Sequence, residues 1–416
     1  MSRHDITDWI IHFIHKRNSE NDPLEFSYDW EDMEYIPLPD SFTFKGEPIF
    51  QTVKYEEDEY GLYSEAEAIE VLKKILHDGI IKTGWSFRNG NPTIYGPKSA
   101  ACFTEMPLYA LIEYSKNRNN ENYIEPYGIA FLKSEIFEAG ARPVIYGLSG
   151  KHQEASEGDQ NCGLGLRTLA SEAGIGLREM YRYVYTNIRG QRRIDWTHER
   201  EWRWADLDED FDFPGMPFFA KNDKFSFSKI IVIVKYNEEV EEIIKHIQHL
   251  YHSKSTNYAR EYNLKAIANT YILSIEELSK FDKDVRTIKL EDLPLNTIPK
   301  LTKIKVTQET IDKVKNAIKV ASEISYKESD RLFKEKGDFG GCGWANVVTY
   351  VANSEITQAL IDLELASSYG TGYYYINLER SFPAQSLDID EAGKIKAAEY
   401  LSDELGQQFT THWRWD

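Results

Sequence analysis

The chain has 416 residues, 41% apolar and 13% aromatic. That is enough for two or three domains of about 150 residues each, and it excludes a largely disordered chain. With 68 acidic against 49 basic side chains the formal net charge is −19. A broad basic surface is therefore excluded, and a nucleic-acid partner would need a local groove. Cys102, Cys162 and Cys342 are far apart and form no CxxC pair, which argues for a reducing compartment and against structural zinc. The N-terminus lacks the apolar core of a signal peptide, and no run approaches the roughly 18 apolar residues of a membrane span. A cytoplasmic protein with no membrane partner is expected.

Residues 9–14 read as a buried strand on their β-branched and aromatic content, although Ile6, Trp9, Ile10 and Phe13 also keep helical spacing. The acidic, aromatic stretch 18–62 reads as a long irregular insertion and a candidate lid. Ser64 and Glu67 form a capping box for a helix that Gly79 ends. Asn89-Gly90 and Gly96-Pro97 mark turns. A strand is predicted at Ala100–Thr104, a helix from Met106 to about Ser115, and a strand at Tyr127–Phe131. A short helix capped by Ser134 and a strand at Arg142–Tyr146 follow. Residues 150–165 read as a polar, Gly-rich loop, in which Gly163 and Gly165 follow no strand and make no dinucleotide fingerprint. Residues 166–187 are predicted helical in part. Ile230–Val234 reads as a fully buried strand, Glu238–His252 as a helix and Ala266–Leu273 as a strand, with Ser274 capping the next helix. Leu293–Pro299 reads as a linker, which puts a domain boundary near 300. Beyond it come a helix at about 308–325, a strand at Ala345–Val351, a helix capped by Ser354, a strand at Tyr373–Leu378 and a helix at about 389–407.

The segment Asp195–Trp204, DWTHEREWRW, carries the chemistry. As a strand it puts Glu199, Glu201 and Arg203 on one face and Arg200, Trp202 and Trp204 on the other. Carboxylates beside a positioned cation stabilise developing positive charge. The same spacing also fits a solvated edge strand whose charges pair across to a neighbour. His12 is either a satisfied core histidine or a neutral imidazole that binds a ribose hydroxyl. His246, His249 and His252 recur every three residues beside Glu238, Glu241 and Glu242, and read as a solvated helix face. No metal site is expected. His412, Trp413 and Trp415 read as a tail docked into the C-terminal core, with an exposed binding tail as the rival.

The order of these features resembles a known family. A first strand carries His12. A capped helix ends in Gly79-Ile80-Ile81. Then come Cys102-Phe103-Thr104-Glu105, strands around Gly128 and Arg142-Pro143, and a late Glu199-Arg200-Glu201. Over about residues 9–280 the pattern resembles the NAD-dependent ADP-ribosyltransferases of bacterial toxin and phage-defence systems. It is similar to the CmdT-like toxins of toxin–antitoxin–chaperone modules and, more distantly, to DarT-like enzymes that modify nucleic-acid bases. The second motif departs from the family, having Cys102-Phe103-Thr104-Glu105 where a Ser-Thr-Ser or a tyrosine ladder is common. Gly340–Thr349 and Thr411–Asp416 resemble an accessory unit fused to such proteins.

The resemblance implies an α+β fold: a split mixed β-sheet core with helices over 1–299, and a smaller α/β accessory domain over 300–416 for target or partner binding. It implies NAD as substrate, His12 on the adenosine-side ribose, and Glu199 or Glu201 on the nicotinamide ribose. Thr104 of the second motif is a further cofactor contact. Glycosidic cleavage passes through an oxocarbenium-like state, and neutral nicotinamide needs no general acid to leave. Glu201 is therefore assigned to stabilise that state, and Glu199 to position the acceptor or act as its base. Arg142 and Arg203 are candidate pyrophosphate partners, with interstrand ion pairs as their rival role. RNA, mRNA in the first place, is the expected acceptor ahead of DNA. A neutralising antitoxin and a chaperone-associated complex are the implied protein partners. The competing functions are protein-directed transfer, NAD hydrolysis, or a non-enzymatic interaction protein.

Overall fold

The computed structural model describes residues 7–16, 43–44, 47–48, 66–88, 91–96, 98–107, 110, 126–150, 154, 167–189, 193–208, 210–253, 255–256, 258, 260–280, 292–299, 304–367, 373–383 and 385–415. Most of the expected lid at 18–62, the capping Ser64, most of the helix after Met106 and most of the loop 150–165 lie outside the described residues. Two compact units form, one from 1–243 with 258–298 and the other from 244–257 with 299–416.

The first unit holds a mixed sheet of eight strands. They are β1 (Trp9–Ile14), β2 (Ala101–Thr104), β3 (Tyr127–Leu132), β4 (Arg142–Pro143), β5 (Glu201–Trp204), β6 (Ile230–Val234), β7 (Thr270–Ser274) and β8 (Asn296–Thr297). Their order across the sheet is β8-β7-β6-β3-β1-β2-β5-β4. Only β6 and β7 run parallel. The crossover such a pair needs contains the long helix α3 (Glu238–His252) and the short α4 (Leu264–Ala268), and α5 (Ile275–Ser279) follows β7. β6 reads IIVIV and is buried at every residue, as a strand covered on both faces must be. Helix α1 (Ala68–Asp78) stops at Gly79, whose φ of 69° is the left-handed conformation that glycine adopts without strain.

Pairing along β1 is uneven. With β3 it is continuous from Trp9↔Leu132 to Ile14↔Tyr127. Gly128 permits this approach, since a Cβ there would lie 2.8 Å from the His12 carbonyl oxygen. With β2 the register has a single pair, Ile11↔Thr104. Beyond that pair β1 and β2 separate, and the sheet opens between them.

Several local expectations are corrected. α1 has Glu67 at its N-cap, with no side-chain hydrogen bond to the helix. Ser134 lies inside helix α2 (Lys133–Glu138), not at its cap. The strand predicted at 142–146 divides: Val144 N–H still donates to the Glu201 carbonyl (3.0 Å) in register with β4–β5, and Ile145–Tyr146 then pairs with Tyr183–Val184 instead. The helical part of 166–187 is two 3-10 turns, Ser171–Ala173 and Leu177–Arg182. Segment 266–273 begins in a helix, because the Asn263 side chain caps it by accepting from the Ala266 N–H at 3.1 Å. The proline-rich stretch near 295 contributes edge strand β8 to the sheet.

The second unit contains helices α6 (Gln308–Lys336), α7 (Glu355–Asp362) and α8 (Leu387–Leu405). Its strands are β9 (Gly343–Thr349), β10 (Ala366–Ser367), β11 (Tyr374–Ile376) and β12 (Thr410–Trp415), in antiparallel order β10-β11-β9-β12. Side chains of Thr307, Ser354 and Ser386 cap the three helices. α6 runs well past the predicted end near 325. Val314, Ile318, Val347, Leu360, Ile376 and Leu401 share one core. The C-terminal residues form the edge strand β12 rather than a docked tail, and Trp413 is half exposed.

Helix α3 (Glu238–His252) overturns the solvated-histidine reading. Its glutamates 238, 241 and 242, in the first two turns, are exposed, but His246, His249 and His252, further along the same side of the helix, are buried. The His249 ring packs 4.0 Å from that of Tyr374, whose hydroxyl donates to the His249 carbonyl at 3.0 Å. The two sets share one side of the helix at different ends; the sequence shows their period but not which stretch of that side meets a core. No described helix is long and apolar enough to cross a membrane.

Candidate active site

A cavity of about 550 Å³ lies in the first unit, lined by His12 of β1, Cys102 and Thr104 of β2, Glu201 and Arg203 of β5, and Glu199. The walls follow from strand register. Glu201 stands opposite Thr104, and Arg203 opposite Cys102, across the antiparallel β2–β5 pair. Alternation sends Trp202 and Trp204 to the other face, where their indole N–H groups donate to Glu105 Oε2 (3.0 Å) and the Ala139 carbonyl (2.8 Å). That division of the strand is as its spacing predicts.

The strand does not extend back to Glu199. Thr197–Glu199 is a 3-10 turn, and Arg200 takes a left-handed φ of 46°. A non-glycine residue held there stores strain, a recurrent feature of functional sites. The turn is latched by Thr104, whose hydroxyl donates to the Glu199 carbonyl and accepts from the Met106 N–H at 3.1 Å. Thr104 is therefore committed to holding this turn. The Glu199 side chain remains 31% exposed at the cavity, against 14% for Glu201.

Glu201 is held from two sides. Its backbone N–H donates to Tyr146 Oη at 2.7 Å, and its carboxylate accepts from Arg203 Nε at 2.7 Å. Burial, together with the nearby charges of Glu201 and Glu199, pushes the Tyr146 phenol up to about 12, so it stays neutral. Arg203 is 4% exposed. It also donates through Nη1 to the carbonyls of Tyr181 (2.5 Å) and Tyr183 (3.3 Å). Burial opposes its charge, but Glu201 and Cys102 more than offset that, so the guanidinium is firmly protonated. Through Nε and Nη1 Arg203 positions Glu201; none of these bonds uses Nη2, and the side chain also lines the cavity. Burial and the charge of Glu201 raise the Cys102 thiol, which removes it as a nucleophile.

His12 sits in the opening between β1 and β2. Its Nδ1 lies 2.9 Å from the Cys102 carbonyl oxygen, and its ring packs 5.6 Å from Phe103. A carbonyl only accepts, so Nδ1 carries the hydrogen and Nε2 is left as the ring's acceptor. Burial lowers the pKa of His12 against the raising effect of the Cys102 bond, so the ring is neutral at pH 7.

Arg142 does not line the cavity, which corrects its expected pyrophosphate role. Its Nη1 donates to the carbonyls of Phe137 (2.6 Å) and Ala141 (2.8 Å), and its guanidinium lies 3.8 Å over the Phe137 ring. Among the described residues, the cations that line the cavity besides Arg203 are Lys82 and Arg167. Arg167 stacks 4.4 Å over Tyr95 and pairs with Glu154. Sequence reasoning missed both, since neither stands in a patterned motif. Comparison with family models, with curated proteins and with solved structures finds no match to this chain.

Proposed function

We propose that the chain is an NAD-consuming ADP-ribosyltransferase whose acceptor is a nucleic-acid base, RNA ahead of DNA. One observation carries the reading. The opening between β1 and β2 brings a neutral histidine and a guanidinium-held carboxylate to one cavity. This supports a split-sheet transferase core of the kind the sequence resembles, and the cavity falls in the size range of small-molecule sites.

The chemistry asked of the residues is modest. Breaking the ribosyl–nicotinamide bond sends its electron pair to nicotinamide and leaves positive charge at the ribose. Glu201, fixed by Arg203 and Tyr146, supplies a carboxylate oriented in advance against that charge. Nε2 of His12 accepts from a ribose hydroxyl. Glu199, the more exposed acid, takes the proton released as the acceptor's nucleophile bonds to ribose. Lys82, Arg167 and the Nη2 edge of Arg203, all at the cavity wall, take the place of Arg142 as partners for the pyrophosphate.

The net charge of −19 favours a second reading, transfer to a protein or to water. Incubating the protein with labelled NAD and separate RNA, DNA and protein pools distinguishes the two. Label in RNA supports the first reading, and label in protein or free ADP-ribose the second. Intact NAD in every pool refutes both and leaves an interaction protein. Control by an antitoxin within a chaperone-linked defence module rests on the sequence resemblance alone.

A further inference from the structure

Among the described residues, the apolar core of the second unit packs against one face of its four-stranded sheet. Ala345, Val347, Tyr374 and Ile376 are buried on the covered side. The opposite face follows from register: Trp344 pairs with Arg414, Asn346 with His412, and Val348 with Tyr375. This face is built of rings. Trp344 is 44% exposed, with the Arg414 guanidinium 5.8 Å from its ring centre. The hydroxyl groups of Tyr373 and Tyr375 lie 3.1 Å apart, and that of Tyr373 lies 3.5 Å from His412 Nε2. Tyr350, 59% exposed, continues the cluster 5.3 Å from Tyr373.

We infer that this face binds single-stranded nucleic acid by stacking bases on Trp344, Tyr350 and the Tyr373–Tyr375–His412 cluster. Three observations choose that occupant over a protein. Charge is the first: in a chain with 68 acidic residues, none falls on β9, β10, β11 or β12, and the one ionic side chain among them is Arg414. A polyanion is repelled by carboxylates and meets none on these strands. Shape is the second: Val348 is fully buried, and no aliphatic side chain on the four strands is exposed among the described residues, so the surface offers flat rings without the aliphatic knobs of a protein interface. Preorganisation is the third: the Tyr373, Tyr375 and His412 rings are tied together, so little side-chain freedom is lost on stacking. Aromatic residues on an open sheet face are a general solution for splayed bases, which all have a π-face. Asn346, His412 and Arg414 supply hydrogen bonds to base edges. As the place that holds the acceptor strand, this face rests on the transfer reading; as a binding surface it stands alone, because its test contains no NAD.

The test uses the full chain and fluorescein-labelled RNA and DNA oligomers of about 12 nucleotides, within the span of known stacking platforms. Anisotropy is read without NAD, for single strands and for duplexes. Single strands should bind, duplexes much more weakly, and binding should fall only shallowly with salt, since few phosphates are paired. Trp344→Ala and Tyr350→Ala should each weaken binding by about fivefold to a hundredfold. Trp344→Phe should retain most of it, and all three should melt like the wild type. Preference for RNA would show that a 2′-hydroxyl is read, and equal binding of DNA that stacking alone suffices; both support the surface. Wild-type protein that binds no single strand at low salt, alanine variants that bind as the wild type does, or equal affinity for duplex would overturn it. Active transfer without strand binding refutes this surface alone, and strand binding without NAD turnover refutes the transfer reading alone.

Discussion

The first unit buries a guanidinium, Arg203, to hold a carboxylate at a cavity wall, whereas the second leaves Trp344 and Tyr350 in water on a sheet whose other face is core. Both arrangements cost stability. A buried ion pair is often no better than a well-packed apolar pair of the same volume, and an exposed indole forgoes the gain of burial. Elsewhere the two units follow ordinary rules: β6 is apolar and buried throughout, and the helices of the second unit are capped by Thr and Ser. The two departures are places where function is to be sought. They differ in kind. The first is fixed by several mutual contacts, so changing it disturbs the fold; the second is displayed, so changing it should disturb only binding.

Removing Arg203 gives the largest expected effect. Arg203→Met leaves the Glu201 carboxylate beside no cation and the Tyr181 and Tyr183 carbonyls without their donor. A loss of about 3–5 kcal/mol in denaturant unfolding is expected. A loss under about 1 kcal/mol would mean that the pair is not structural and would free Arg203 for ligand. Next comes Glu201→Gln, which keeps an oxygen for Arg203 Nε and removes the charge. Transfer from labelled NAD should fall about 10²- to 10³-fold, with NAD affinity by calorimetry nearly unchanged. Transfer near the wild-type rate would remove Glu201 from catalysis.

Gly128→Ala tests the backbone beneath His12. The added methyl would meet the His12 carbonyl at 2.8 Å and Ile11 Cγ2 at 3.0 Å, so β1 and β3 must part. About 1–3 kcal/mol of stability should be lost, together with NAD affinity; unchanged melting would show that β1 yields freely.

A smaller effect is expected from pH. Burial lowers the pKa of His12 from 6.5, so the unfolded chain takes up a proton that the folded chain refuses. The associated stability is fully present above 6.5 and is lost as pH falls from there through the lowered folded value. His252 and His412, also lowered by burial, act with the same sign. His12→Asn should flatten the dependence of unfolding free energy on pH below 6.5 without abolishing it; an unchanged slope would contradict a buried, neutral His12. Trp344→Ala should change least, within about 0.5 kcal/mol by thermal melting. A larger loss would make the exposed face part of the core and erase the contrast between the units.

Local signals were legible in the sequence where the physics is local. The β-branched run at 230–234, the glycine after α1, the caps at Ser274 and Ser354 and the split of Trp202 and Trp204 from Glu201 and Arg203 each depend on near neighbours and on strand or helix period. The choice of Glu201 and Glu199 came from residue type and spacing, whereas placing His12 at the same site came from the resemblance in the order of motifs along the chain. What only the tertiary structure decided depends on partners distant in sequence. Arg203 became a positioning group because the carbonyls of Tyr181 and Tyr183 meet it, and Arg142 left the site because Phe137 and Ala141 claim it. Arg200 turned left-handed, and Glu199 left the strand for a turn that Thr104 latches from β2. Lys82 and Arg167 entered the cavity from segments with no pattern to mark them. The histidines of α3 went inward because Tyr374, more than a hundred residues away, lies against them. Hydrophobic period tells a chain which residues share a face, but burial, charge pairing and access depend on what that face meets, and that is set by long-range register.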